Sequence, residues 1–140
     1  MPSTERWTRV PAPHDFPAAL DYLTLLFDER TAAALVAGLK KAPLSRRKAK
    51  DLLRSSGLGL MPTTDPEVTK DLRKVKKGQQ LSPVLLVRGD AVTGRPLIVA
   101  DGYHRICTCY HLDEDGEVPC RIAGLPPAND RTASPRRSSV

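Results

Sequence analysis

The chain has 140 residues, with 22 Lys and Arg against 16 Asp and Glu, giving a formal net charge of +6. That length suits one domain, and 40% hydrophobic residues supply a single core but no apolar run of about 18 residues that would cross a bilayer, so a membrane-spanning protein is excluded. Aromatics at 4%, with 13 Pro and 9 Gly, exclude a long coiled coil and predict an aliphatic core broken by turns.

Residues 1–13 are polar and proline-broken. Glu5, Arg6, Trp7 and Arg9 precede Pro11 and Pro13, which leaves no apolar signal-peptide core and points to a cytoplasmic protein. Trp7 is expected to staple this arm onto the core, and His14 to belong to a helix start. A helix is predicted from about Phe16 to Phe27, with Asp15 as its cap and Pro17 in a first turn that needs no N–H. Leu20, Leu23 and Phe27, with neighbours Tyr22 and Leu26, give it a buried stripe. Thr31 to Leu39 is Ala-rich and helical by propensity, blunted by Gly38 and Pro43. Ser45 is placed to cap a third helix, Arg46 to Ser55, which Gly57, Gly59 and Pro62 end.

Asp65-Pro66-Glu67 is a helix start, because the Asp oxygen caps free N–H groups, Pro fits the first helical position and Glu complements the positive helix end. That helix is predicted over Pro66 to Lys77, with Val68, Leu72 and Val75 as its apolar face and Lys70, Arg73, Lys74, Lys76 and Lys77 around them. Pro83 to Val87 and Pro96 to Ala100 then read as two buried strands, and Val118 to Ala123 as a third. Asp101-Gly102-Tyr103-His104-Arg105 turns the second strand into a short helix through Ile106, Tyr110 and Leu112. Leu125 to Val140, rich in Pro, Ser and Arg, has nothing to bury and is expected to be disordered.

A glycine turn between a buried strand and a helix aims free backbone N–H groups outward, where they hold an anion. Arg105 suits a bidentate grip on phosphate, His104 can donate or relay a proton near neutral pH, and Asp101 can accept a proton or hold a bridging metal. The plain alternative is that Asp101 caps the helix while His104 and Arg105 lie on its wet face.

The stretch from Val68 to Ile122, roughly 55 residues, resembles the ParB/sulfiredoxin-like superfamily in three ordered pieces. These are the basic helix leading into Leu81-Ser82-Pro83-Val84-Leu85-Leu86-Val87, then Leu97 to Arg105, then Glu117-Val118-Pro119-Cys120-Arg121-Ile122. The resemblance implies an α+β fold, a small mixed sheet with packed helices. It divides the chain into an N-terminal helical extension over 1–60, forming a lid or partner surface, a core over 61–124 and a tail over 125–140. In this superfamily the Gly-x-x-Arg box binds nucleotide phosphates, which implies a nucleotide site at Gly102, Tyr103, His104, Arg105 and Ser82, taking ATP or CTP with Mg²⁺. Tyr103 stands where sulfiredoxins carry their catalytic Cys, so sulfinic acid reduction by that route is not implied. Partition-type ParB proteins have two adjacent arginines where this chain has His104-Arg105, and continue into a helix-turn-helix domain, so a plasmid-partition clamp is not implied. The Asp-Gly-His-His-Arg box of the free serine kinases differs here only at Tyr103, and by that similarity Asp101 is the base, with His104 beside it at the phosphates. The reaction implied is phosphoryl transfer or nucleotide hydrolysis, which rests mainly on positioning and charge neutralisation. A second acidic residue is expected there, Asp65 and Glu67 being candidates.

Basic residues concentrate between Lys40 and Arg54, where Arg46, Arg47, Lys48 and Lys50 are candidates for contact with DNA through basic helices. The alternative function is therefore a non-enzymatic DNA-binding or protein-interaction module, and a homodimer is open. Against sequence-specific readout, aromatic interleaving is sparse and no helix-turn-helix or zinc-finger spacing occurs. Cys107, Cys109 and Cys120 are read as thiols, because an odd count does not build a disulfide framework. With His104 and His111 they lack the paired spacing of a structural zinc site, and no metal site is assigned to them.

Overall fold

The computed structural model describes residues 6–125. It is an α+β fold with the element order α1 (Asp15–Leu23), α2 (Glu29–Lys41), β1 (Ser45–Lys48), α3 (Ala49–Ser56), α4 (Pro66–Lys76), β2 (Val84–Val87), β3 (Ile98–Asp101), α5 (Tyr103–Leu112) and β4 (Glu117–Ala123). The four strands form one mixed sheet in the order β1-β4-β2-β3. β2 runs parallel to β4, while β1 pairs antiparallel with β4 and β3 antiparallel with β2. The tail expected to be disordered falls, after Leu125, outside the described residues.

All of β2 is buried, and its alternation divides the core. Val84 and Leu86 face a cluster with Leu52 and Leu53 of α3, Val68 of α4 and Ile106 of α5. Leu85 and Val87 face Ala19 and Leu23 of α1 and Leu35, Val36 and Leu39 of α2. The helices expected to form a lid or partner surface thus cover the second face of the sheet, because a strand apolar on both sides must be covered on both sides. The border expected at residue 60 would separate β1 from β4, with which it pairs at Ser45↔Cys120 and Lys48↔Glu117.

Local signals explain most helix limits. Asp65 Oδ2 accepts from the N–H groups of Glu67 and Val68, both at 3.1 Å, and Pro66 opens α4. Asp28 caps α2 through the Thr31 N–H at 2.7 Å, so that helix starts earlier than propensity alone placed it. α1 ends at Leu23 rather than Phe27, and Tyr22 and Leu26, expected in its buried stripe, are exposed.

The largest departure is at 45–48, where the expected helical start is a strand. Its pairing with β4 outweighs the helical propensity of Arg46 to Lys48, and the first N–H groups of α3 are satisfied from outside: Ala49 donates to Gly116 O at 2.9 Å and Lys50 to Glu114 O at 3.2 Å. Gly57, at φ 73°, closes α3 in the left-handed conformation.

The N-terminal arm is anchored as expected. Trp7 is buried and bridges Leu81, with Thr8 N–H to Leu81 O and Leu81 N–H to Arg6 O each at 2.7 Å. The three cysteines are free thiols packed in the core. Burial pushes each thiol above its usual range, Cys109 to about 11, which leaves them protonated and unreactive at neutral pH. No described helix is long and apolar enough to cross a membrane.

Candidate functional site

β3 delivers Asp101 to the end of the sheet, and Gly102 turns the chain into α5 at φ 109°. A Cβ on Gly102 would lie 2.5 Å from Val84 Cγ1 and 3.0 Å from Arg105 Nη2, so glycine is required there by conformation and by space. No side chain caps the N-terminus of α5. Tyr103, the first residue of the helix, is held by its hydroxyl, which donates to Gly59 O in the loop before α4, and its ring lies 5.2 Å from that of His104. His104 is partly exposed, with Nε2 3.7 Å from Asp65 Oδ2.

Arg105 folds back under the turn, and its side chain is only 13% exposed. Nη2 donates to Asp101 Oδ2 at 2.7 Å. Nη1 donates to Ser82 O at 2.6 Å, Pro83 O at 3.2 Å, Asp15 Oδ2 at 3.3 Å and the Ser82 hydroxyl. Ser82 Oγ in turn donates to Asp15 Oδ2 at 3.0 Å, and the Ala12 N–H to the same oxygen at 3.2 Å. An outward grip on phosphate was the sequence expectation for Arg105. Here its donors are directed inward, onto two carboxylates and the start of β2, and only its rim lines the cleft.

Asp101 feels this arrangement most. Burial pushes its carboxyl up to about 6, the nearby Asp15 carboxylate adds to the rise, and Arg105 opposes it. Asp71, a buried acid on α4, is also raised by burial, against the pull of Lys74 and Arg105. Both open onto a cleft of about 610 Å³ between the arm, α4 and the start of α5. Four carboxylates line it, those of Asp15, Glu67, Asp71 and Asp101, and Lys70, Lys74 and Arg105 oppose them. Lys70 and Lys74 stand one helical turn apart, so α4 presents both along one wall.

Asp101, Gly102, Tyr103, His104, Arg105 and Ser82 all line this one cleft. Of the two acids considered for company, Glu67 lines the cleft and Asp65 stands beside His104. Sequence reading missed Asp15, taken for a helix cap; it is the first residue of α1, buried, and spends its carboxylate on Arg105 and Ser82. It also missed Asp71 as a site residue and did not single out the Lys70–Lys74 pair, whose i, i+4 spacing was visible. Arg46, Arg47, Lys48 and Lys50, expected on a helix, divide between edge strand β1 and the first turn of α3, and none lines the cleft. Lys50 is paired with Asp115 at 2.6 Å, while Arg46, Arg47 and Lys48 are exposed. Among the described residues no three His, Cys, Asp or Glu side chains gather to hold a metal ion.

Comparison with known proteins returned no match: no family model, no curated protein and no solved structure matches the chain.

Proposed function

We propose that the cleft binds a nucleotide by its phosphates, with Mg²⁺, and that Asp101 acts as the base for phosphoryl transfer or hydrolysis. The observation that carries this reading is the uncapped N-terminus of α5 opening beside Lys70 and Lys74. Unsatisfied N–H groups and the positive end of a helix favour an anion, and two lysines across a cleft add charge. The resemblance to the ParB/sulfiredoxin-like superfamily supports the same site on other grounds. Because the lining carboxylates offset the lysines, a polyphosphate would bind best with a divalent cation. Mg²⁺ keeps several waters and takes one or two carboxylates plus phosphate oxygens, a donor set that Glu67 and Asp71 on α4 would supply without a dedicated three-residue cage, leaving Asp101 free to act as the base. Bound there, it would neutralise phosphate charge.

Asp101 suits the role of base because its carboxyl ionises near 6, close to working pH, and Arg105 fixes its orientation. His104, half-exposed at the cleft, is the donor beside it. Arg105 in this reading is a positioning residue. Calorimetric titration with ATP, CTP, GTP and ADP in Mg²⁺ tests the site. Lys70→Ala with Lys74→Ala should weaken binding of the preferred nucleotide about tenfold or more, and Asp101→Asn should abolish turnover with binding retained. Absence of heat with all four nucleotides would refute it.

A second reading, contact with a nucleic acid backbone, is favoured by the exposed basic edge Arg46-Arg47-Lys48. It requires DNA affinity that falls with salt and falls further when Arg46 and Lys48 are reversed to Glu.

A further inference from the structure

We propose that a groove at the other end of β2 and β3 is a second binding site, for a small organic anion with an apolar body. It encloses about 590 Å³ between α3 and the hairpin that joins those strands, a volume in the range of small-molecule sites. It shares no residue with the cleft at Gly102, and the inference does not rest on the nucleotide reading.

The floor is apolar, made by Leu52 of α3, Leu97 ahead of β3 and Ile122 of β4. The walls carry four arginines, Arg47 from β1, Arg54 from α3, and Arg88 and Arg95 from the hairpin. Asp51 and Asp90, which also line the groove, are engaged locally: Asp51 Oδ1 lies 3.3 Å from Arg54 Nε, and Asp90 Oδ1 accepts the Val92 N–H at 3.0 Å. The side chains of Arg47 and Arg88 have no hydrogen bond or ion pair among the described residues. Arg95 has one long hydrogen bond, from Nη2 to Arg88 O at 3.4 Å, and its buried Nε has no partner among those residues. Guanidinium donors left over above an apolar floor are what a carboxylate or phosphate ester needs, since the floor lowers the local dielectric and strengthens a forked pairing.

The groove is also preformed. The hairpin is closed by paired hydrogen bonds between Asp90 and Arg95, at 2.8 and 2.9 Å, and tied to the end of α3 by Leu97 N–H to Ser55 O at 3.0 Å. A Cβ on Gly89 would come within 2.7 Å of Leu97 N and Pro96 C, so only glycine lets the two sides of the hairpin approach this closely. A fixed wall reduces the ordering that binding must overcome.

The probe is 2-naphthoate, one carboxylate on an apolar body, followed through the backbone amides of the full chain by NMR. The neutral 2-naphthalenemethanol and inorganic phosphate serve as separate arms. The naphthoate should shift Gly89, Leu97 and Ile122 saturably, and more tightly than either arm. The double substitution Arg47→Gln and Arg88→Gln should weaken it about tenfold or more with the remaining spectrum unchanged. If the double variant fails to fold, Arg88→Gln alone should weaken binding severalfold. Shifts centred on Gly102, equal affinity for the neutral analogue, unchanged affinity in the folded variant, or no saturation at millimolar probe would each overturn the proposal.

Discussion

The two ends of the β2–β3 pair handle arginine in opposite ways. Next to Gly102, Arg105 is enclosed by Asp15, Asp101, Ser82 and Pro83, and its side chain is only 13% exposed. Across the sheet, Arg47 and Arg88 line a groove with no partner among the described residues. The same side chain is a structural clamp in one place and an unused donor in the other. The difference comes from what the chain leaves available: carboxylates aimed at Arg105 in the first case, and in the second an apolar floor with Asp51 and Asp90 engaged by Arg54 and the Val92 N–H. A satisfied buried network fixes the geometry around it, whereas unsatisfied donors are available to something that arrives.

Removing each kind of arginine should expose the contrast most strongly. Arg105→Ala leaves Asp15 and Asp101 facing each other without their shared cation, and should cost about 3–5 kcal/mol in urea denaturation. Gly102→Ala, which forces a Cβ against Val84 at positive φ, should cost about 1–3 kcal/mol. Arg88→Gln, exposed and unpaired, should stay within about 0.5 kcal/mol of the parent. A loss as large as that of Arg105→Ala would mean that the groove arginines are structural too, and the comparison would collapse.

A finer distinction lies in pH. The Asp101 carboxyl, raised by burial and by Asp15, binds its proton more tightly in the folded chain than in the unfolded one. Its contribution to stability is therefore present below about 4, the ordinary carboxylate value, and is lost as pH rises through about 6. Asp15→Asn should move the Asp101 midpoint downward from about 6, as read by carboxyl carbon chemical shifts, because a like charge is removed. An unmoved midpoint would separate the two acids electrostatically.

How much of this was legible in sequence depended on distance along the chain. Asp65-Pro66-Glu67 announced α4 because cap, proline and acid act within one turn. Val84 to Val87 announced a buried strand because four consecutive apolar residues have to be covered on both faces. The strand at 45–48 was not legible, since Ser45 followed by basic residues has the composition of a capped helix and only the pairing with β4, some 75 residues on, makes it extended. The candidate site shows the same limit. Asp101 to Arg105 declared its donors and acceptors, but Asp15, 90 residues before Arg105, gave no sign of being its partner.

Trp7, the chain's single tryptophan, sits in the core through its bridge to Leu81, the residue next to Ser82. Nature has thereby installed a fluorophore one residue from the rim of the cleft, on an arm whose Thr8 and Val10 to His14 line the same cleft. Any ligand that presses or lifts that arm changes the polarity around the indole. Emission from the unlabelled protein should shift to the red when the arm detaches from Leu81, which gives the cleft an intrinsic optical readout that the arginine groove does not have.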